Sequence, residues 1–328
     1  MLSWVPVRLG SVLLVVMTGC AAPHARGVET GTCPVGAETA DDCPWGAIGR
    51  AVAKEAAAKG DVDGALAKYA PDLVAAVDDD AKRPELLALW GTSLNDDELA
   101  HAEILAPSIL DVLNARAHVG PRDGKRTHAG VEHTYGYVLS TLHTPFGYKR
   151  ARWVKPELEL GFALTKGALG PRPPAGTLLT NATYFAGRIA FRTDARARAA
   201  LERFAGAVEP SIAHVAYEQL PVTRLTESLT IEGRTVALRT DFVPFPRAVP
   251  GGTSTYLLVY SVADSSAEGA RLVTAFPVGT PFVQKVLAPA DLGEAMPIAT
   301  RYNAFVPGVT GQDPPLRGRR GADGPAPN

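Results

Sequence analysis

The sequence predicts an α+β protein, in which a helical N-terminal region is followed by an antiparallel β-sheet region with one or two helices. Two patterns predict this class. Apolar residues recur at helical spacing over residues 46–117, and apolar and polar residues alternate along several segments of residues 118–310. Most of the predicted strands are followed by another strand and not by a helix, which disfavours a doubly wound parallel sheet.

The first region begins with strong helix formers. Residues 47–59 are rich in Ala, Glu and Lys, and Gly60 is typical of a helix C-terminus. Residues 61–90 carry further apolar stripes at helical spacing. Asn95, with a glutamate three residues later, matches a capping box, so we expect a helix to begin there. Two helices separated at Pro107 would complete the region.

The second region is predicted to be mainly strands. Alternation of apolar and polar residues predicts strands over residues 157–164 and 184–191. Asp194 is expected to cap a helix that starts directly after it. Further alternation predicts two hairpins, one over residues 225–242 around a Glu-Gly turn and one over residues 256–278 around a polar turn.

The composition is that of a globular protein. The chain has 328 residues, 46% of them hydrophobic, and a formal net charge of −1. This hydrophobic content excludes disorder of the whole chain. The charge shows no basic excess, so we expect no nucleic-acid partner. Apart from a short apolar leader, no segment approaches the ~20 apolar residues of a membrane span.

The first twenty residues have the pattern of a targeting signal. Residues 9–17 are apolar, and nine residues at ~1.5 Å each span under half of a ~30 Å hydrocarbon core, which is typical of a signal peptide. Residues 17–20, Met-Thr-Gly-Cys, resemble the lipobox of bacterial lipoprotein precursors. The resemblance covers only the leader. It implies that residues 1–19 are removed and that Cys20 becomes a lipidated N-terminus.

The same resemblance implies a location in the cell envelope. Acyl chains such as palmitate on Cys20 would anchor the protein to a membrane. Two alanines replace the acidic residue that signals retention in the inner membrane, which implies the outer membrane. Residues 20–45 are predicted to be a tether in which Cys33 and Cys43 either form a disulfide or remain free thiols. The Pro-, Gly- and Arg-rich residues 311–328 are predicted to be disordered.

One segment stands out as a candidate site. The stretch from His128 to Trp153 holds three of the seven histidines together with several aromatic and basic side chains, near the junction of the predicted helical region and the predicted sheet region. The aromatic members would serve as stacking or apolar anchors, and the basic members would attract an anionic group. The candidate ligand-binding residues are His133, Tyr135, Tyr137, His143, Lys149, Arg150, Arg152 and Trp153.

A hydrolase is the alternative interpretation of this segment, either metal-assisted or with a histidine as general base. His128, His133 and His143, with Glu132, supply the ligand types of a catalytic zinc site. The spacing is not H-E-x-x-H, and on a helix His128 and His133 would lie on opposite sides. We therefore predict no metal and no other cofactor, and the hydrolase stays open.

Other catalytic patterns are weaker. No G-x-S-x-G motif is present. Glu157 and Glu159 would share one strand face ~7 Å apart, as glycosidase carboxylates do, but we expect that face to be solvated. Residues 78–80, Asp-Asp-Asp, are expected in a solvated turn. The sequence thus indicates a lipid-anchored envelope protein that binds a small molecule, a cell-wall component or a protein partner, in the periplasm or at the cell surface.

Overall fold

The computed structural model of this chain describes residues 44–97, 100–144, 147–153, 156–231, 234–264 and 269–287. The predicted signal peptide, the predicted tail and residues 20–43 of the predicted tether, with Cys20, Cys33 and Cys43, lie outside these residues, whereas the last two tether residues, Pro44 and Trp45, begin the first helix and Trp45 is buried. Within the described ranges, no helix is both long enough and apolar enough to span a membrane. The predicted α+β class is confirmed, with helices packed against a four-stranded antiparallel sheet.

The chain before the main sheet is mostly helical. Its first elements are α1 (Pro44–Lys59), α2 (Val62–Tyr69), α3 (Pro71–Asp80), α4 (Pro84–Leu87), β1 (Thr92–Leu94), α5 (Pro107–Arg116) and β2 (Arg126–His128). Helix α1 ends as predicted at Gly60, whose φ of +69° is a left-handed conformation that glycine adopts without steric strain. Strands β1 and β2 pair as a short antiparallel ribbon.

The next part of the chain consists of short elements followed by longer helices. They are α6 (Ala129–Val131), a π-helical turn (Glu132–Gly136), α7 (Tyr137–Leu139), β3 (His143–Thr144), β4 (Gly147–Tyr148), a 3-10 turn (Lys149–Arg152), α8 (Pro156–Gly161), α9 (Leu178–Ala190), α10 (Ala195–Glu202) and α11 (Pro210–Ala213). The predicted cap of α10 is confirmed, because the Asp194 side chain accepts a hydrogen bond from Ala197 N at 2.9 Å.

The main sheet contains the two predicted hairpins. Its strands are β5 (Thr223–Ile231), β6 (Arg234–Pro244), β7 (Tyr256–Asp264) and β8 (Ala270–Val278), in the order β5-β6-β7-β8 with every pair antiparallel. Val259 and Ala275 belong to the core shared with α9. On the opposite face, Phe242 and Leu258 belong to a second core cluster with residues of α12 (Thr280–Leu287). The sheet is therefore packed on both faces.

The strands predicted over residues 157–164 and 184–191 are helices instead, α8 and α9. Helix α9 is almost wholly buried, polar residues included, and the alternation over residues 184–191 covers only its second half, where it imitates a strand. Its start is fixed by Thr177, whose hydroxyl accepts a hydrogen bond from Thr180 N at 3.2 Å. The sheet region consequently holds more helices than the one or two predicted.

The expected solvated face of Glu157 and Glu159 is also wrong. Both carboxylates are buried, whereas Leu160, which follows Glu159 in α8, is 49% exposed. The Glu159 carboxylate accepts main-chain hydrogen bonds from residues 167 and 169, each at 3.0 Å, and Glu157 accepts one from Thr253 N at 3.1 Å. These two side chains hold loops and are not paired for hydrolysis of a glycoside.

No helix begins at Asn95. This side chain is buried, donates to Leu105 O at 2.7 Å and accepts from Leu105 N at 3.0 Å. Pro107 does not separate two helices but starts α5, at a position where a missing N–H costs nothing. Asn95 thus binds the main chain of Leu105 and does not cap a helix. Pro107 begins a helix and does not interrupt one.

Candidate functional site

The candidate segment folds as a chain of very short elements around β2, α6 and the π-helical turn. Its entry is held by His128, whose Nδ1 accepts a hydrogen bond from Val131 N at 3.2 Å and whose Nε2 lies 3.1 Å from Leu87 O. Next to it Gly130 packs so closely on Trp90 that an added Cβ would lie 2.7 Å from the indole Cγ. The absence of a side chain at Gly130 therefore lets the segment pack directly on Trp90, which follows α4.

Glu132, the first residue of the π-helical turn, is fully buried. Ser93 Oγ donates a hydrogen bond to Glu132 Oε2, and Glu132 Oε1 has no hydrogen-bond partner among the described residues. Burial raises the pKa of this carboxyl to about 7, against the lowering effects of the Ser93 hydroxyl and the Lys149 charge. Buried polar groups without partners and π-helical turns are both enriched at functional sites.

A row of contacts connects Glu132 to the surface. His133 Nε2 lies 3.5 Å from Glu132 Oε2, and the His133 and Tyr137 rings pack 4.7 Å apart between centroids. Lys149 Nζ lies 5.3 Å from the centre of the Tyr137 ring and 2.5 Å from Asp97 Oδ2. Five side chains on three separate stretches of chain thus form one continuous polar row.

The predicted site residues divide into two groups in the structure. His133, Tyr137 and Lys149 are brought together in this row. His143 is exposed and packs edge to face on Tyr148, at 4.7 Å between ring centroids. The guanidinium of Arg150 lies 3.7 Å from the centre of the Tyr148 ring and is almost completely buried. His143 and Arg150 therefore pack on Tyr148 and form a group separate from the contacts of the row.

Tyr135 and Trp153 do not join it. Tyr135 and Trp153 are fully buried members of the main hydrophobic core, so neither offers a surface for stacking a ligand in this conformation. The backbone of Arg152 ends the 3-10 turn, and its side chain lies outside the described part of the chain. The prediction that all eight residues share one contact surface does not describe the arrangement seen.

Tyr135 belongs to a second buried polar cluster, which corrects the expectation of a solvated turn at residues 78–80: these residues end α3, and Asp80 is buried while Asp78 is exposed. The Tyr135 and Thr177 hydroxyls donate to the Asp80 carboxylate, and Thr180 Oγ1 donates to it at 2.7 Å. Burial raises the pKa of Asp80 to about 6, although these three hydroxyls lower it. The cluster ties α3, the π-helical turn and the start of α9 together.

The zinc alternative finds no support in this geometry. No group of three or more His, Cys, Asp or Glu side chains in the described part of the chain is placed to hold a metal ion. Both ring nitrogens of His128 are used locally, and His143 is exposed. The three histidines that the sequence grouped therefore do not converge.

Sequence reasoning missed Ser93 and Asp97. Ser93 lies in a three-residue strand with no periodic signal, and Asp97 stands in an irregular stretch 52 positions before its partner Lys149. Only the tertiary fold brings them to the segment. Comparison with protein-family models, with curated proteins and with solved structures finds no match to this chain.

Proposed function

We propose that this protein is a lipid-anchored protein of the bacterial envelope that binds a small polar ligand at the row formed by Asp97, Lys149, Tyr137, His133 and Glu132. The lipobox-like leader supports the anchor, and the composition of the row supports the binding. An anionic group of the ligand would take the place of Asp97 against Lys149, while the two rings beneath contact its body.

The observation that carries the binding site is the graded exposure of the row. The side chains of Lys149, His133 and Glu132 are 12%, 5% and 0% exposed, respectively. Polar side chains in this order, ending on a buried carboxyl oxygen without a partner among the described residues, are unfavourable for stability alone. Such an arrangement is typical of sites selected for binding or chemistry.

An envelope hydrolase is the second candidate function, and one contact favours it. His133 Nε2 lies 3.5 Å from the Glu132 carboxylate, so the carboxylate can orient the imidazole as a general base for an attacking water. In this case the ligand would be a substrate. The two functions differ in what happens when His133 is lost.

The anchor is tested by metabolic labelling with radioactive palmitate. We expect the full chain to incorporate label and the Cys20→Ser variant to incorporate none. Cys33→Ser is the matched control and should label like the wild type. Label on the Cys20→Ser variant, or none on the wild type, would refute the anchor.

The binding site is tested by thermal-shift screening of the full chain in detergent against muropeptides and small organic anions. A compound that raises the unfolding midpoint should lose at least tenfold in affinity in Lys149→Ala and keep its affinity in Lys54→Ala, a control at an exposed lysine of α1. His133→Gln should weaken binding if the protein only binds, and should abolish turnover of a bound compound if it is a hydrolase. Equal affinities in both lysine variants would exclude the proposed site.

A further inference from the structure

A second group of buried polar side chains lies on the ribbon of β1 and β2. Ser93 and Thr127 are direct cross-strand partners, and both are buried. Directly opposite residues of an antiparallel pair have Cα atoms ~4.5–5.5 Å apart and side chains on the same side. The two hydroxyls therefore face the same interior space, between the ribbon and the helices that pack on it.

Each hydroxyl contacts one further buried polar side chain. Ser93 Oγ donates to Glu132 Oε2, and Asn114 Nδ2 donates to Thr127 Oγ1 at 2.9 Å. Because the two hydroxyls are neighbours, the Glu132 carboxylate and the Asn114 amide approach the same space from its two sides.

The packing of Glu132 on α5 agrees with this placement. An added Cβ on Gly136 would lie 3.7 Å from Glu132 Cγ and 3.4 Å from Leu110 Cδ2, so the Glu132 stem and Leu110 both border the same point at Gly136. Leu110 precedes Asn114 by one helical turn on the same face of α5. The four polar residues thus form one cluster, the β-ribbon cluster, made of Ser93, Asn114, Thr127 and Glu132.

Two oxygens of the β-ribbon cluster have no hydrogen-bond partner among the described residues. They are Glu132 Oε1 and Asn114 Oδ1, and both side chains are at least 99% buried. Both atoms are acceptors when the carboxyl is ionised, while the amide N–H₂ and the Ser93 hydroxyl already donate to partners. An occupant of this space would have to supply hydrogen-bond donors or positive charge to these two oxygens.

We propose that the β-ribbon cluster binds a small monovalent cation through oxygen atoms, with Na⁺ as the probe of this class. Carboxylate, amide and hydroxyl oxygens are the ligands that hard cations prefer. The cluster carries one carboxylate, so a monovalent ion makes the buried site neutral, whereas a divalent ion would leave a net charge in the core. The cluster shares Glu132 with the proposed ligand-binding row, whereas Ser93, Asn114 and Thr127 lie outside the row and Lys149 and Asp97 lie outside the cluster.

The test is thermal unfolding of the full chain in detergent, with tetramethylammonium chloride replaced stepwise by NaCl, KCl or CaCl₂ at constant ionic strength. A site saturated a hundredfold above its Kd should raise the unfolding midpoint by about 5 °C. We expect this shift with Na⁺ or K⁺ and not with Ca²⁺. Identical midpoints in all four salts would overturn the proposal and indicate water in the space.

Variants assign the effect to the cluster. Glu132→Gln removes the only negative charge and should abolish the Na⁺ shift. Asn114→Asp adds a second carboxylate and should transfer the response from Na⁺ to Ca²⁺. Glu159→Gln is the matched control, since that buried carboxylate is satisfied by main-chain N–H groups of α8's following loop. A Na⁺ shift that survives Glu132→Gln would overturn the assignment.

A direct measurement on the wild type does not depend on variants that fold. Equilibrium dialysis with radioactive sodium should show saturable binding close to one ion per chain, and unsaturable uptake would overturn the proposal. Lys149→Ala should lose binding of the polar ligand and keep binding of sodium. The failure of either proposal is therefore distinguishable from the failure of the other.

Discussion

The main sheet and the site segment, residues 126–153, differ in the length of their elements and in the kind of side chain that they bury. The sheet consists of two long hairpins with strands of nine to eleven residues and one register shift, between Tyr260 and Ser261, and its buried side chains are mostly apolar. The site segment changes between strand, α-helix, π-helix and 3-10 turn every two to five residues. It buries Glu132, His133 and Arg150.

The difference shows what holds each region. A hairpin is specified by its turn and by alternation along two neighbouring strands, which are local in sequence. The site segment is specified by contacts to residues far away in the chain, such as Trp90, Ser93 and Asp97. Substitutions should therefore act locally in the sheet and over long range in the site segment.

The largest effect is expected at Gly49, where α1 crosses α7 of the site segment. An added Cβ would lie 2.2 Å from the main-chain oxygen of Leu139, and a backbone atom cannot move aside as a flexible side chain can. Gly49→Ala should lower the free energy of unfolding by about 3 kcal/mol or more. Urea denaturation of the full chain measures it, and Gly206→Ala, with nothing within 4 Å of its added Cβ, should change it by under ~1 kcal/mol. Equal effects would contradict the close crossing.

The next effect tests the comparison from the sheet side, where an ion pair with a buried carboxylate joins β5 and β6. Arg224 donates to Asp241 through two nitrogens, at 2.6 and 2.8 Å, and also to Ala190 O at 3.0 Å. Burial raises the pKa of Asp241 more than Arg224 lowers it, so the pair itself contributes little net stability. Asp241→Ala should nevertheless lower the free energy of unfolding by about 3 kcal/mol, because it leaves Arg224 without its carboxylate.

The matched control is Asp78, which pairs with Arg116 at 2.9 Å on the surface. Asp78→Ala should change the free energy of unfolding by under ~1 kcal/mol. If both variants lose the same amount in denaturation, the buried pair does not connect the sheet to α9.

A pH dependence sharpens the comparison from the site side. The pKa of Asp80 is raised from 3.8 to about 6 in the folded chain. Its protonated form is thus favoured by folding, and this contribution is fully present below pH ~4 and lost as the pH rises through about 6. A shift of about two units corresponds to about 3 kcal/mol, and we expect ~2–3 kcal/mol less stability at pH 7 than at pH 4 from this group.

The measurement is the difference between wild type and Asp80→Asn in urea denaturation at several pH values. The neutral asparagine cannot titrate, so its stability relative to the wild type should rise between pH 4 and pH 6.5. A constant difference across this range would show that Asp80 is ionised at both ends.

The smallest effect tests a purely local signal, the cap of α10. Asp194→Ala removes the acceptor for Ala197 N and should lower the free energy of unfolding by about 1 kcal/mol. Asp194→Ser keeps a capping oxygen and should restore most of it. No loss in the alanine variant would mean that α10 is held by packing alone.

Prediction from sequence succeeded for elements whose start, end or pairing is determined by a local signal. Gly60, Asp194 and the two hairpins lie in the structure as their patterns predict. The α+β class follows from them. The site segment was located from its unusual composition, but its geometry could not be predicted, because the contacts of Ser93 and Asp97 depend on the tertiary fold.

The misassigned helices fail for the opposite reason. Helix α9 is almost wholly buried, so large and small apolar residues alternate over residues 184–191 and imitate a strand, although the whole helix keeps a helical period. Asn95 carries the chemistry of a helix cap, yet its side chain pairs with the main chain of Leu105. At both positions the structure depends on burial and on contacts in the tertiary fold, which the local sequence pattern does not show.

The pairing of Leu272 with the chain before β1 has a consequence for association between molecules. Leu272 N donates to Leu89 O at 2.7 Å, and Gly91 N donates to Leu272 O at 2.8 Å, so β8 is shielded at the edge of the sheet. An open edge is a template for pairing with another chain, and β5 is the other edge of this sheet. With β8 covered at Leu272, we expect native molecules that pair through this sheet to use β5 and to join in twos, because each molecule offers one such edge.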